Sequence, residues 1–449
     1  MTTVRNRDAL TGHGNREARE TLLDVATAAL DAVHPRRTVP AAVRRDGDRL
    51  RVGDRTVDLG AVEDVYVVGA GKGAAAVAAE LVAVLEDRVT DGIVAAKAAD
   101  QRAPDLGNLS VVDAGHPLPD EASLAAGRRA LAVVDAAGPG DLVFALVTGG
   151  ASATLAAPAD DLSLSDLATT TDVLLRAGLP IDEINAVRKH CSALKGGRLA
   201  ERLAPATVAT LVVVDEVAGE PWGPTVGDAT TFADALDVLR RHDLTDAVPS
   251  AVVRHLRRGQ DGAIDETPDT VDGHAVVLAG PTDAPEAARD RAAELGYQPL
   301  ILSTTIEGES REVATCLSAI ANEAATHGRP IDPPCVLITG GETTVQVGSE
   351  AGEGGPNQEF ALRAALAHAD QASVTTLAIG TDGTDGPTDV AGGLVDATTV
   401  SRMERAGVDA RAHLRRHDAT PALRAVDDAV ITGPTGTNVM DLRLTLVED

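Results

Sequence analysis

Apolar and polar positions alternate in blocks along the 449-residue chain. Runs that are apolar almost throughout recur at 65–69, 92–96, 109–113, 142–147 and 208–214, with longer helical stretches at 73–87, 120–136, 163–177 and 182–203 between them. Apolar strands separated by helices predict a parallel sheet covered on both faces. The segment GQDGAIDETPDTVDG, 259–273, is polar and punctuated by Pro and Gly, and reads as a linker. Beyond it the alternation restarts. Strands are expected at 274–279, 299–303, 335–339, 343–347, 373–379 and 438–447, and helices at 282–296, 309–327 and 357–369. The expected fold class is therefore α/β. Two α/β domains, 1–258 and 274–449, carry Rossmann-like parallel or mixed sheets flanked by helices, with an active-site cleft between the domains. Ligands of such sheets bind at the carboxyl ends of strands.

Composition narrows the function. No apolar run approaches the ~20 residues that span a bilayer, and the charged start MTTVRNRDALTGHGNREARE lacks the apolar core of a secretory signal. Cys191, Cys316 and Cys335 are too far apart for a zinc motif and odd in number, as in reduced cytoplasmic thiols. A net charge of −28 and only six aromatic residues oppose nucleic-acid binding. Only four of the 40 basic residues are lysines, namely Lys72, Lys97, Lys189 and Lys195. Abundant carboxylates with almost no lysine suit a protein adapted to high salt, and each surviving lysine is a candidate for a task arginine cannot do.

The motifs place those lysines among glycines. In VYVVGAGKGAAAVAAEL, residues 65–81, a strand runs through Gly69, Gly71, Lys72 and Gly73 into a helix. Such a loop favours an anion, either a dinucleotide, as the Gly-x-Gly-x-x-Ala spacing suggests, or a transferred phosphate met by Lys72. A nicotinamide site wants an acid at the end of the second strand; Lys97 stands there, and Asp100 follows too late. INAVRKHCSALKGGRLAERL, 184–203, groups Arg188, Lys189, Lys195 and Arg198, either to neutralise a polyanion or as a basic face paired with acids. Arg188 and Lys195, seven apart, would share a helical face. GTDGTDGPTD places Asp382, Asp385 and Asp389 after a strand, as hard oxygen ligands for Mg²⁺ or as a base, or as ordinary Asp-Gly turns. His116 lies in the Pro-stiffened DAGHPLPDEAS, where Asp120 suits a helix cap. Thr148-Gly149-Gly150 with Ser152, and Thr339-Gly340-Gly341 with Glu342, each end an apolar strand. Asn357, Thr437 and Asn438 lie in Gly-rich segments suited to polar recognition. No GxSxG elbow, HExxH pair, P-loop, or HRD and DFG signature is present.

Taken in register, VVGAGKGA, AGHPLPDEAS, TGGASATL, INAVRKHCSALKGGRLA, TGGETTV, GGPNQEFAL, GTDGTDGPTD and TGPTGTNVMDL resemble the glycerate 2-kinase family, also called the MOFRL family, from about residue 20 to 445. The resemblance implies two α/β domains and transfer of a phosphoryl group from ATP, with a divalent cation, to the 2-hydroxyl of D-glycerate. It implies that Lys72 is the loop lysine and that Asp382 and Asp385 are the loop acids, acting as catalytic or metal-binding groups. Arg188 joins them as a catalytic cation. Gly71, Gly73, His116, Gly149, Gly150, Ser152, Lys189, Lys195, Gly340, Gly341, Glu342, Asn357, Thr437 and Asn438 are expected to bind substrate or phosphate. The chain departs from the family pattern at Pro356, where an arginine is usual, at Asp215-Glu216-Val217-Ala218-Gly219-Glu220, and at Ala151. The alternative is an NAD(P)H-dependent hydroxypyruvate reductase, resting on the glycine fingerprint. Glycerate and ATP are the expected partners, with no nucleic acid or membrane; self-association is left open.

Overall fold

The computed structural model describes residues 4–96, 106–216, 222–348 and 351–449. Lys97, Asp100 and 217–220 lie outside the described residues. The chain forms two compact units, one of Thr38–Val214 with Glu220–Leu278, the other of Met1–Arg37 with Asp215–Gly219 and Ala279–Asp449.

The first unit is built on a six-stranded sheet. Its strands lie in the spatial order Leu109–Asp113, Asp91–Ala96, Val65–Ala70, Leu142–Val147, Thr207–Val213, His274–Ala279. The first five pair in parallel. Numbered along the chain this order is 3-2-1-4-5-6, that of doubly wound dinucleotide-binding sheets. Val65–Ala70 and Leu142–Val147 are buried at every position, as strands with both faces covered must be. They are also the two strands between which the order reverses.

Three features of this unit differ from the sequence expectation. The 274–279 strand, placed after the linker by its composition, is the edge of the first sheet, and its mixed burial suits an edge position. The polar 259–273 stretch is bonded into the same unit. Glu266 accepts from the Phe232 N–H at 3.0 Å, and the Thr267 hydroxyl donates to Asp228 at 3.2 Å. Composition marks such a segment as polar, not as where its hydrogen bonds go. The helix expected at 182–203 is two helices, Ile181–His190 and Arg198–Leu203. The break ends at Gly196 and Gly197, both left-handed at φ 62° and 80°.

The second unit carries a mixed six-stranded sheet, in the order Gln298–Ile306, Cys335–Gly341, Asp441–Val447, Val374–Gly380, Gly392–Asp396, Ala429–Val430. Only the first pair is parallel; Asp441–Val447 runs antiparallel to both its neighbours. The stretch 343–347 is no strand. Thr344 makes one isolated bridge to Glu309 after the main strand bends out at Gly341, φ 114°. The N-terminal helix Arg16–Ala32 belongs here through Arg19, which is fully buried and donates to Asp396 at 2.6 Å and to Asp428 at 2.8 Å. Arg19 holds the Asp396 carboxyl far below the usual carboxylate range against the cost of burial. Among the described residues no helix is long and apolar enough to cross a membrane.

Candidate active site

At the reversal point of the first sheet two loops are stitched together. The Gly71 N–H donates to Ala95 C=O at 3.0 Å, the Lys72 N–H to Gly149 C=O at 2.8 Å, and the Gly73 N–H to the Thr148 hydroxyl at 3.1 Å. Gly71, at φ 113°, is obligatory: a Cβ there would stand 2.2 Å from Thr148 O. All three loop amides are therefore spent within the protein. The glycines of the fingerprint serve close packing of one loop on the other, and the loop amides are not available to an anion.

Gly150, φ 85°, completes this corner. A Cβ on it would meet His116 Cδ2 at 2.8 Å and Lys72 Cγ at 3.6 Å, so the lysine stem and the imidazole flank the same glycine. Gly150 starts the short helix Ala151–Thr154, which carries Ser152. Asp120 caps the helix Glu121–Ala136, as expected, by accepting from the Ser123 N–H at 2.8 Å.

The basic group separates into two. Lys189 is paired with the buried Asp228, Nζ to Oδ1 at 3.1 Å, and Asp228 also accepts from Thr230 and Thr267. This lysine, expected to bind phosphate, is thus committed to an internal ion pair that fastens the 259–273 segment. Arg198 likewise donates to Asp265 C=O at 3.1 Å. Arg188 and Lys195 are different. They line one small cavity with Ser152, Pro119, Ala156 and Leu167. They meet there because the chain turns at 191–197, not because they share a helix face. Among the described residues Arg188 has no hydrogen-bond or ion-pair partner, and Lys195 Nζ donates only to Leu155 C=O at 3.1 Å. Burial lowers the Arg188 guanidinium to about 10, and burial beside Arg188 lowers the Lys195 ammonium to about 7.

In the second unit the acids of the 381–389 loop also separate. Asp385 is buried, and both its oxygens are taken. Oδ1 accepts from the Asn357 N–H at 3.0 Å and its amide at 3.2 Å, and Oδ2 from the Gln358 N–H at 2.8 Å and its amide at 3.1 Å. It anchors the first turn of the helix Pro356–Ala367. Burial raises its pKa to about 7 against the pull of those donors. Asn357 is correspondingly structural, clamped between Asp385 and Asp441, with its amide 2.7 Å from Asp441 Oδ1. Asp389 pairs with Arg424 on the surface. Asp382 is half-buried; its Oδ1 accepts from the Thr384 N–H at 2.9 Å, and its charge acts on Asp441.

The two Thr-Gly-Gly sequences are not equivalent. Gly340 and Gly341 are strand residues paired with Leu442 and Asp441, so only 148–150 forms a turn; Glu342 follows, exposed. Thr437 donates to Val33 C=O at 3.0 Å and holds the N-terminal segment, and Asn438 donates to Asp215 at 3.1 Å. Sequence reasoning passed over Asp441 and Arg443. Asp441 accepts from Arg443 at 2.5 Å and from the Thr343 N–H at 3.3 Å, and Arg443 lies 5.2 Å from the Phe360 ring centroid. The available signal was charged side chains at alternate positions of the otherwise apolar DLRLTLV. Among the described residues no three metal-ligating side chains cluster. Asp441 is committed in the same way as Asp385, its Oδ1 to the Asn357 amide and its Oδ2 to Thr343 and Arg443, so the half-buried Asp382 is the loop acid whose placement fits a Mg²⁺ held by one carboxylate and completed by water and phosphate oxygens.

A doubly wound sheet with a lysine loop at its reversal point, and a mixed sheet with loop acids, define an α/β protein of two units, and its relatives make it an enzyme of the phosphoryl-transfer kind. The family models agree with it: a Domain of unknown function (DUF4147) matches residues 21–257 and the MOFRL family matches residues 335–441. A glycerate 2-kinase of Pyrococcus horikoshii is 38% identical over 96% of this chain and 98% of its own. A putative hydroxypyruvate reductase of Agrobacterium vitis is 40% identical over 85% of this chain and 86% of its own. The crystal structure of a glycerate kinase from Thermotoga maritima superposes with a TM-score of 0.82 at 34% identity, over 95% of this chain and 99% of that one. The chain belongs to the glycerate 2-kinase (MOFRL) family.

Proposed function

We propose that the chain is an ATP-dependent glycerate 2-kinase, transferring the γ-phosphoryl group to the 2-hydroxyl of D-glycerate to give 2-phosphoglycerate and ADP. The observation that carries this reading is the reversal-point corner, where the loop amides are consumed and the side chains of Lys72 and His116 flank Gly150, within a chain of this family. A dinucleotide site would need those amides for the pyrophosphate. Phosphoryl transfer needs charge neutralisation and positioning more than covalent chemistry. Lys72 supplies a positive charge to the transferring group, and His116 across Gly150 supplies an imidazole for orienting or protonating an oxygen there. In the C-terminal unit Asp382 would be the carboxylate for Mg²⁺, which would neutralise phosphate charge when bound.

We further place the enzyme in the cytoplasm at high ionic strength, from its acidity and scarcity of lysine. The test is incubation of the purified protein in molar KCl with D-glycerate, ATP and Mg²⁺, reading ADP release and the product by phosphorus NMR. Formation of 2-phosphoglycerate supports the reading. Absence of ADP, with NAD(P)H consumed on hydroxypyruvate, overturns it.

A further inference from the structure

Two partly buried cations that line one cavity, with no acid among its lining residues, can take an anion from outside. In the first unit that pair is Arg188 and Lys195. The two other basic residues of the 184–203 segment described above are balanced or bonded: Lys189 by Asp228, and Arg198 by Asp265 C=O. Arg188 lines the cavity and has no hydrogen-bond or ion-pair partner among the described residues, and Lys195 retains two donors beyond its bond to Leu155. The cavity wall is completed by Ser152, Thr171 and Ser192 and by the apolar Pro119, Ala156, Ala157 and Leu167. Ser152 lies two residues beyond Gly150, the glycine flanked by Lys72 and His116, and Pro119 belongs to the loop that carries His116. The cavity therefore adjoins the Lys72 corner through the same turn.

We propose that Arg188 and Lys195 form the subsite for the carboxylate of the acceptor, and so select a small hydroxy acid over an uncharged polyol. This rests on the kinase reading above and assigns the pocket to the acceptor, not to a phosphate of the nucleotide. Three features favour a carboxylate. The cavity is small and walled in part by apolar residues. A planar guanidinium matches a planar carboxylate through two parallel bonds. The pocket is one short turn from Lys72, which keeps an acid's carboxylate and its hydroxyl on neighbouring groups. Each cation is a positioning group: it holds the acid so that the hydroxyl faces Lys72, and it takes no part in bond making.

The experiment measures D-glycerate, glycerol and ADP binding without turnover by calorimetry, and steady-state KM and kcat, for wild type, Arg188→Met, Lys195→Met and Arg188→Lys. Each Met variant should weaken glycerate about 10- to 100-fold, as loss of a charged hydrogen-bond donor does. ADP affinity and ATP KM should stay within about twofold, and the preference for glycerate over glycerol should shrink by the same factor as glycerate binding. Arg188→Lys, keeping charge without the fork, should fall between, and it carries the test if a Met variant fails to fold. Loss of ADP affinity with glycerate unchanged, or no change in either, overturns the assignment. Wild type that binds glycerate through Arg188 yet releases no ADP would leave the pocket standing and sink the kinase reading.

Discussion

Replacing Asp385 by alanine distinguishes a metal ligand from a structural anchor. The carboxylate accepts from two backbone N–H groups, those of Asn357 and Gln358, at 3.0 and 2.8 Å, in the buried first turn of the Pro356–Ala367 helix. Alanine leaves both donors without an acceptor, and an unsatisfied buried donor costs about 1–3 kcal/mol, so the backbone pair alone costs about 4 kcal/mol. The two side-chain amides lose less, since Asn357 also bonds Asp441 and Gln358 also bonds Thr388. In a unit of about 200 residues each kcal/mol moves Tm by about 2–4 °C, giving a fall of about 8–16 °C. Scanning calorimetry in molar KCl reads that shift; kcat at saturating Mg²⁺, measured well below the new Tm, reads the other role. Asp385→Asn retains one acceptor oxygen and should lose less. If alanine leaves Tm within about 2 °C while kcat collapses, Asp385 is a metal ligand or base and the anchoring argument fails.

Three further outcomes follow from the site. Lys72→Ala should lower kcat by at least about a hundredfold with Tm nearly unchanged, because a transition-state charge contact is lost; a near-normal rate in the ADP-release assay would remove Lys72 from the chemistry. Lys195, lowered to about 7 by burial and Arg188, is charged below that pH and neutral above it. The KM for glycerate should therefore be flat below pH 6.5 and rise about tenfold per unit above pH 7.5, whereas Lys195→Met should abolish the rise; a wild-type KM indifferent to pH refutes the assignment. Dilution from molar KCl should lower Tm as carboxylates lose their screening, and a Tm insensitive to salt would count against adaptation to high ionic strength.

The strands around the site were legible because they are buried on both faces and so are apolar throughout, and the observed strand 142–147 coincides with its expected bounds. Lys72 stands out in the sequence because lysine is rare in this chain, whereas its place beside Gly150 and His116 comes from the fold. Lys189 and Lys195, six residues apart, were not distinguishable, since what separates them is Asp228, nearly forty residues further on. Asp382 and Asp385 look alike in GTDGTDG, yet one side chain is half-exposed while the other is closed over by a helix start. Local spacing carries no record of such partners. Nor does polarity reveal that 259–273 is held by Glu266 and Thr267.

The second unit is completed by both ends of the chain, with Asn6 bonded to Ala429 C=O across 423 residues and Arg19 to Asp396 across 377. During synthesis its first helices emerge early and have no sheet to join. The whole of 38–278, which supplies the Lys72 corner, leaves the ribosome before the strand 441–447 exists. The half that carries Lys72 can thus assemble while the chain is still growing, and the half that carries Asp382 is deferred until the strand 441–447 has emerged. A single break near residue 38 should accordingly spare the earlier-formed half and leave the other searching for its first helix.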